Sequence, residues 1–185
     1  MISLRSARIA DAPALSVIAR AAKAHWGNSE ALLARWAQDL TITPEHIRRD
    51  SYTVAERGGR PVAFLALAGA GPVLSIEHLW VLPQAMGDGV GRRLLEDALA
   101  RCRSAGTSSI RIVADPNAAG FYARFGAREI GTVPSQPAPR QLPLLEIRLA
   151  VPVPTPGGGV ASFAPPGPSG APEACEGPGE ESGGS

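Results

Sequence analysis

Apolar positions along this chain recur with a period that switches between about 3.6 residues, one face of a helix, and about 2, one face of a strand. Ile2 to Arg5 reads as a short strand. Leu15, Ile18, Ala22 and His25 then fall on one helical stripe, with Asp11 as the expected N-cap and Pro13 in the first turn. Gly27-Asn28-Ser29 breaks that helix and offers a new cap, after which Leu32, Leu33, Trp36 and Leu40 mark a second helix. Thr43-Pro44 opens a short helical turn. Tyr52 to Ala55 and Val62 to Leu67 flank Glu56-Arg57-Gly58-Gly59-Arg60, which reads as a hairpin turn between two strands.

The next run, Val73 to Leu82, is apolar at most positions on both faces, as expected of a central strand covered on both sides. Strict alternation places Val73, Ser75, Glu77, Leu79 and Val81 on one face and Leu74, Ile76, His78, Trp80 and Leu82 on the other, so Glu77 and His78 should point apart. A glycine-rich loop, Gly87 to Gly91, leads into a helix whose stripe is Leu94, Leu95, Ala98, Leu99 and Cys102, ended by Gly106. Ser109 to Val113 reads as a strand, Asn117 to Phe125 as a short helix ended by Gly126, and Ala127 to Val133 and Leu142 to Leu149 as the last two strands. The order β-α-α-β-β-β-α-β-α-β-β argues for an α/β (α+β layered) domain. Its sheet should be mixed but mostly antiparallel, flanked by helices, with one parallel pair at the centre.

Composition confines this pattern to residues 1–150. The remaining stretch, 151–185, holds eight prolines and nine glycines with Phe163 its only aromatic, and it is expected to be a disordered acidic tail. That tail carries Glu173, Glu176, Glu180 and Glu181 with no Lys or Arg, so the chain's net +1 leaves +5 on the first 150 residues. A mildly basic domain suits an anionic small ligand, but no Lys/Arg-rich run points to nucleic acid. Cys102 on an apolar helix face and Cys175 in the tail make no disulfide framework. Three scattered histidines with no ligand spacing give no reason to expect a metal. Neither a signal peptide nor an apolar run of about 18 residues is evident, and a soluble, cytoplasmic protein without membrane contact is expected.

The segment that carries chemistry runs from Leu79 through Pro83 and Gly87-Asp88-Gly89-Val90-Gly91 to Arg92-Arg93-Leu94-Leu95, a strand turning through glycines into a helix. Glycines let the backbone approach a phosphate, and the unpaired N–H groups at the helix start point at the charge. The spacing is neither a Walker A loop, for want of Gly-Lys-Ser/Thr, nor the dinucleotide-binding Gly-x-Gly-x-x-Gly pattern, because Arg92 stands where a glycine is needed.

This segment resembles the acetyl-CoA loop of the GNAT superfamily of N-acetyltransferases, in which a strand ending in Val-x-Pro precedes a Gly-x-Gly-x-Gly loop. A second signature lies downstream, where Asp115-Pro116-Asn117-Ala118-Ala119-Gly120-Phe121-Tyr122-Ala123-Arg124-Phe125-Gly126 is similar to the family's Asn-x-x-x-Phe-Tyr-x-x-x-Gly-Phe segment. The resemblance covers about Ile2 to Leu149 and implies the GNAT acyl-CoA N-acyltransferase fold. Met86 departs from the Gln or Arg usual there, and Asp88 stands where a basic residue is usual. A carboxylate at that place repels a pyrophosphate unless it turns away or caps the helix.

The resemblance further implies acetyl-CoA as acyl donor, held by the backbone of Leu79, Trp80 and Val81, by Gly87, Asp88, Gly89, Val90, Gly91 and Arg92, and by Asn117. It implies direct transfer to a primary amine of a small metabolite, an antibiotic or a peptide, and it allows a homodimer. Glu77 is the candidate base for the amine, a role that burial would favour, and Tyr122 the candidate acid for the leaving thiolate. Each also has a plain structural reading: Glu77 as a strand carboxylate paired with Arg, Tyr122 as a packed helix ring, Asn117 as an N-cap. His25, Trp26 and Trp36 lie in the region the family places over the acceptor, although core packing is the favoured reading for them. His78 lies among apolar neighbours and reads as structural. The other functional class left open is a non-catalytic acyl-CoA-binding or regulatory module.

Overall fold

The computed structural model describes residues 1–27, 29–135 and 140–150. The expected acidic tail and the Asn28 of the helix break lie outside the described residues. The elements run β1 (Ile2–Ser6), α1 (Ala12–His25), α2 (Glu30–Arg35), α3 (Pro44–Arg49), β2 (Ser51–Arg57), β3 (Arg60–Ala68), β4 (Val73–Val81), α4 (Val90–Ser104), β5 (Ser109–Val113), α5 (Pro116–Ala123), β6 (Arg128–Ser135) and β7 (Arg140–Arg148). The seven strands form one sheet in the order β1-β2-β3-β4-β5-β7-β6. All neighbours are antiparallel except β4 and β5, so the expected mixed sheet with one central parallel pair is what forms.

Each face of the sheet buries its own cluster. On one side the α4 stripe Leu94, Leu95, Ala98, Leu99 and Cys102 packs on Ala63, Leu65, Ile76, Ile110 and Ile147. On the other, Leu15, Ile18 and Ala19 of α1 with Leu33 and Trp36 pack on Val54, Phe64 and Ala66. Two helix layers enclosing a sheet is the arrangement that buries both faces of β3 and β4, which is why those strands read as nearly continuous apolar runs. Arg101 and Arg103 in the last turn of α4 complement its negative dipole end.

Two local expectations change. Asp11 does not cap α1 through its side chain. Its carboxylate instead accepts a two-pronged bond from Arg5, at 2.7 and 3.0 Å, and another from the Arg8 N–H at 2.6 Å. Arg5 also donates to Glu56 at 2.8 Å, so β1, β2 and the α1 entry are tied by one guanidinium. His25 was expected on the buried stripe of α1, but it is exposed, because the stripe ends with Ala22 and the helix unwinds at Trp26.

The larger correction is in β4. Ala66 pairs with His78 and Leu67 with Ile76, so Glu77 is the extra residue of a β-bulge. Alternation restarts there. Leu74, Ile76, Leu79 and Val81 therefore all belong to the α4-side cluster, whereas strict alternation separated the first two from the last two. His78 packs toward Tyr52 and Phe64 on the α1 side. Glu77 itself is exposed at the bulge. Past the bulge β4 also parts from β5: their ladder ends at Ile76 paired with Ile112, while β4 continues to Val81.

Candidate active site

The loop after β4 makes a short 3-10 turn at Pro83–Ala85 and then passes through Gly87 at φ +84° and Gly89 at φ +73°. Gly89 is the N-cap of α4, and no side chain caps the helix there. Its first N–H groups therefore remain available to an anion, with the positive end of a 15-residue helix behind them. They face a cleft of about 960 Å³ between α4 and α5, whose wall includes Gly87, Gly89 and Gly91 and the guanidinium side chains of Arg92, Arg103 and Arg124. Gly91 sits where α4 packs near β4 and α5: a Cβ there would make ordinary contacts, 3.4 Å from Val81 Cγ2 and 3.9 Å from Phe121 Cζ.

Asp88, assigned to this site from sequence, is not in the cleft wall. Its Oδ2 accepts from Arg57 Nη2 at 2.5 Å, across to the end of the β2–β3 hairpin. Arg92 makes an ion pair with Glu96 one turn along α4, at 2.7 Å.

A second cleft of about 560 Å³ lies beside the unpaired end of β4. Leu79, Trp80 and Val81 form its floor, Lys23 of α1 and Trp26 just past its end one side, and Asn117, Phe121 and Tyr122 of α5 the other. It shares Val81, Met86, Gly91, Phe121 and Arg124 with the first cleft, so the two make one continuous trough from the glycine loop to Tyr122. Tyr122 is only 6% exposed, and burial pushes its phenol well above the usual tyrosine range. Among the described residues its hydroxyl makes no hydrogen bond, and it is not a buried atom lacking a partner, so it opens toward the cleft.

The start of α5 explains why Asn117 is there. Asp115, not Asn117, is the N-cap; its Oδ1 accepts from the Asn117 N–H at 3.1 Å, which leaves the Asn117 side chain free to line the cleft. Arg140 of β7 donates to Asp115 at 3.0 Å, and Lys23 of α1 lies 3.6 Å away. Desolvation raises the Asp115 pKa, but the Asn117 N–H and the two cations outweigh it and hold the carboxyl below its ordinary value. Lys23 is shifted down, mainly by its own desolvation.

The remaining sequence candidates separate. Trp26 is 57% exposed and lines the second cleft, with His25 edge-on to it at 5.7 Å. Trp36 is a core residue, 7% exposed, with Lys23 Nζ 4.4 Å above its ring, and it does not reach the cleft wall. Glu77 is exposed on the bulge, not buried, and lines neither cleft. His78 is structural: Trp80 Nε1 donates to its Nδ1 at 3.2 Å, and burial lowers its pKa to about 4. Sequence reasoning missed Lys23, Asp115, Arg103 and Arg124. The first two had signals, since Lys23 stands three residues before Trp26 on one helix face and Asp-Pro is a capping pattern. Among the described residues no group of three His, Cys, Asp or Glu could hold a metal, and no helix is long and apolar enough to cross a membrane.

A family model described as the acetyltransferase (GNAT) family matches residues 18–127. Serotonin N-acetyltransferase 2, chloroplastic, of Oryza sativa subsp. japonica is 36% identical over 77 residues, which are 40% of this chain and 38% of that protein, so the match spans well under half of the relative. The ribosomal-protein-S18-alanine N-acetyltransferase of Escherichia coli superposes with a TM-score of 0.62 at 17% identity over 80% of this chain and 94% of its own. The PaiA N-acetyltransferase of Thermoplasma acidophilum, solved with coenzyme A, gives 0.64 at 19% identity over 80% of this chain and 99% of its own. At those identities the two structures speak for the fold alone.

Proposed function

The chain belongs to the GNAT acetyltransferase family, and from that premise we propose that it transfers the acetyl group of acetyl-CoA to a primary amine by direct attack. The observation that carries this reading is the continuous trough from the uncapped start of α4 to the Tyr122 hydroxyl, alongside the part of β4 that β5 leaves unpaired. The residues present fit a CoA thioester: glycines at positive φ, free helix N–H groups and three arginines at one end, and a narrower, largely apolar slot at the other.

Bound in the trough, the donor supplies an activated acyl carbon and a thiolate leaving group. The N–H groups after Gly87 and Gly89 hold its diphosphate, and the β4 backbone from Leu79 to Val81 takes up its amide-bearing arm as a strand would. The Leu79 N–H donates to the acetyl oxygen, where negative charge grows during attack. Tyr122 holds the proton for the departing sulfur at its Oη; burial keeps that phenol protonated at neutral pH, as an acid must be. Glu77 takes the amine proton through water, from an exposed position on the bulge. Asn117 orients the donor from the α5 side, and Trp26, with His25, forms the rim over the acceptor.

The test is release of free CoA thiol from acetyl-CoA against a panel comprising serotonin and other arylalkylamines, polyamines, amino acids and peptides beginning with alanine. Turnover with one class that is lost in Tyr122→Phe supports the reading. Binding of CoA without turnover on any amine moves the protein to the acyl-CoA-binding or regulatory class.

A further inference from the structure

The sequence puts a carboxylate, Asp88, in the middle of the anion-binding loop, between two glycines whose φ values of +84° and +73° only glycine adopts readily. Left to itself, a negative charge one residue from the α4 N-cap competes with any phosphate for the same N–H groups and dipole. The structure holds it elsewhere. Arg57, the last residue of β2, reaches across to it with Nη2 on Oδ2, and the pair is the only ion pair either residue makes among the described residues. We infer that Arg57 is a positioning residue for the donor site, which keeps Asp88 turned out of the cleft and cancels its charge. The inference rests on the reading of this loop as the CoA diphosphate site.

Three observations support it. Asp88 is absent from the cleft wall although Gly87 and Gly89 on either side of it are present, so the side chain is directed away while its neighbours' backbone faces in. Arg57 is fixed from below by the hairpin, where it pairs with Arg60 in register and follows the bulge at Ala55/Glu56. Both partners are about half exposed, at 42% and 52%, so the pair contributes little to folding stability, and a role there would be weakly motivated. Its place beside an anion site gives it a role that does not depend on net stability: the charge it cancels would otherwise lie within a Debye length, about 8 Å at physiological salt, of the diphosphate.

The experiment is calorimetric titration of the full chain with CoA for wild type, Arg57→Ala, Asp88→Asn and the double variant, at low and high salt. Arg57→Ala should weaken CoA binding about tenfold, equivalent to about 1.4 kcal/mol. Asp88→Asn should bind at least as tightly as wild type, and adding it to Arg57→Ala should restore affinity to within about twofold, with the loss in Arg57→Ala shrinking as salt rises. A simple strut between hairpin and loop predicts otherwise: Asp88→Asn alone would then weaken binding as much as Arg57→Ala, with no rescue in the double variant. That result, or unchanged affinity in Arg57→Ala, overturns the inference while CoA binding by wild type leaves the site assignment standing. No CoA binding by wild type overturns both.

Discussion

Acidification from pH 7 to 5 should destabilise this fold through one side chain, His78. Its imidazole lies on the α1 side of β4 against the stacked pair Tyr52 and Phe64, with ring centroids 6.2 and 5.9 Å away, and accepts at Nδ1 from Trp80. Desolvation there, aided by the positive charge of His46 and only partly opposed by Asp50 and Asp39, brings its pKa from 6.5 to about 4. The folded state therefore resists a proton that the unfolded chain accepts. Stability is fully present above the unfolded value near 6.5 and is lost as pH falls toward 4, where the loss would reach about 3 kcal/mol. At pH 5 the difference in proton uptake amounts to about 2 kcal/mol, which for a domain of this size lowers Tm by roughly 4–8 °C. Thermal unfolding followed by circular dichroism at pH 7, 6 and 5 measures it. In His78→Gln every other titrating group remains, so the wild-type decline should flatten even if the variant starts from a lower Tm. Equal slopes for the two proteins would refute the assignment of a buried, neutral imidazole.

Gly89→Val should abolish CoA binding by calorimetry with the circular dichroism spectrum retained, because valine is strained at φ +73° and would displace the backbone of the α4 N-cap. Tyr122→Phe keeps the ring volume and removes a hydroxyl with no partner among the described residues, so stability should hold while turnover falls about 10²-fold with CoA affinity unchanged. A chain ending at Ala150 should match the full chain in both CoA affinity and turnover, since the described residues that line the trough all fall within 22–125.

The element order and the layered sheet were legible because the helix stripes and strand runs are long and separated by glycines: the α4 stripe from Leu94 to Cys102 is buried as its spacing requires. The glycine loop and the α5 start were legible as local structure because positive φ and a helix start are what glycine and proline write directly into sequence. What could not be read is whatever depends on a single residue of register or on partners far along the chain. The bulge at Glu77 has no compositional mark, and one inserted residue reverses the face of everything before it. Trp36 was a fair acceptor candidate by position, yet its ring is buried under Lys23 and in the α1 cluster, a contact that only the fold creates. Asp115 was visible as a cap signal, but its partners Lys23 and Arg140 come from α1 and β7.

The bulge and the parting of β4 from β5 occur at the same point, and β5 itself ends one residue later, at Val113. An extra residue opposite β3 increases the local twist and bends the bulged strand, which favours its parting from a neighbour that is itself ending. The ladder to β5 accordingly ends at Ile76, the residue before Glu77. Four residues of β4, His78 to Val81, then keep their pairing to β3 on one edge and present a bare strand edge on the other, where a parallel sheet would ordinarily be closed. Unpaired peptide groups at a half-buried position are costly unless something hydrogen-bonds them. The same irregularity that misled strict alternation thus leaves the bare edge that, in the function proposed above, a strand-like, amide-bearing ligand arm would fill, with the glycine loop following that strand.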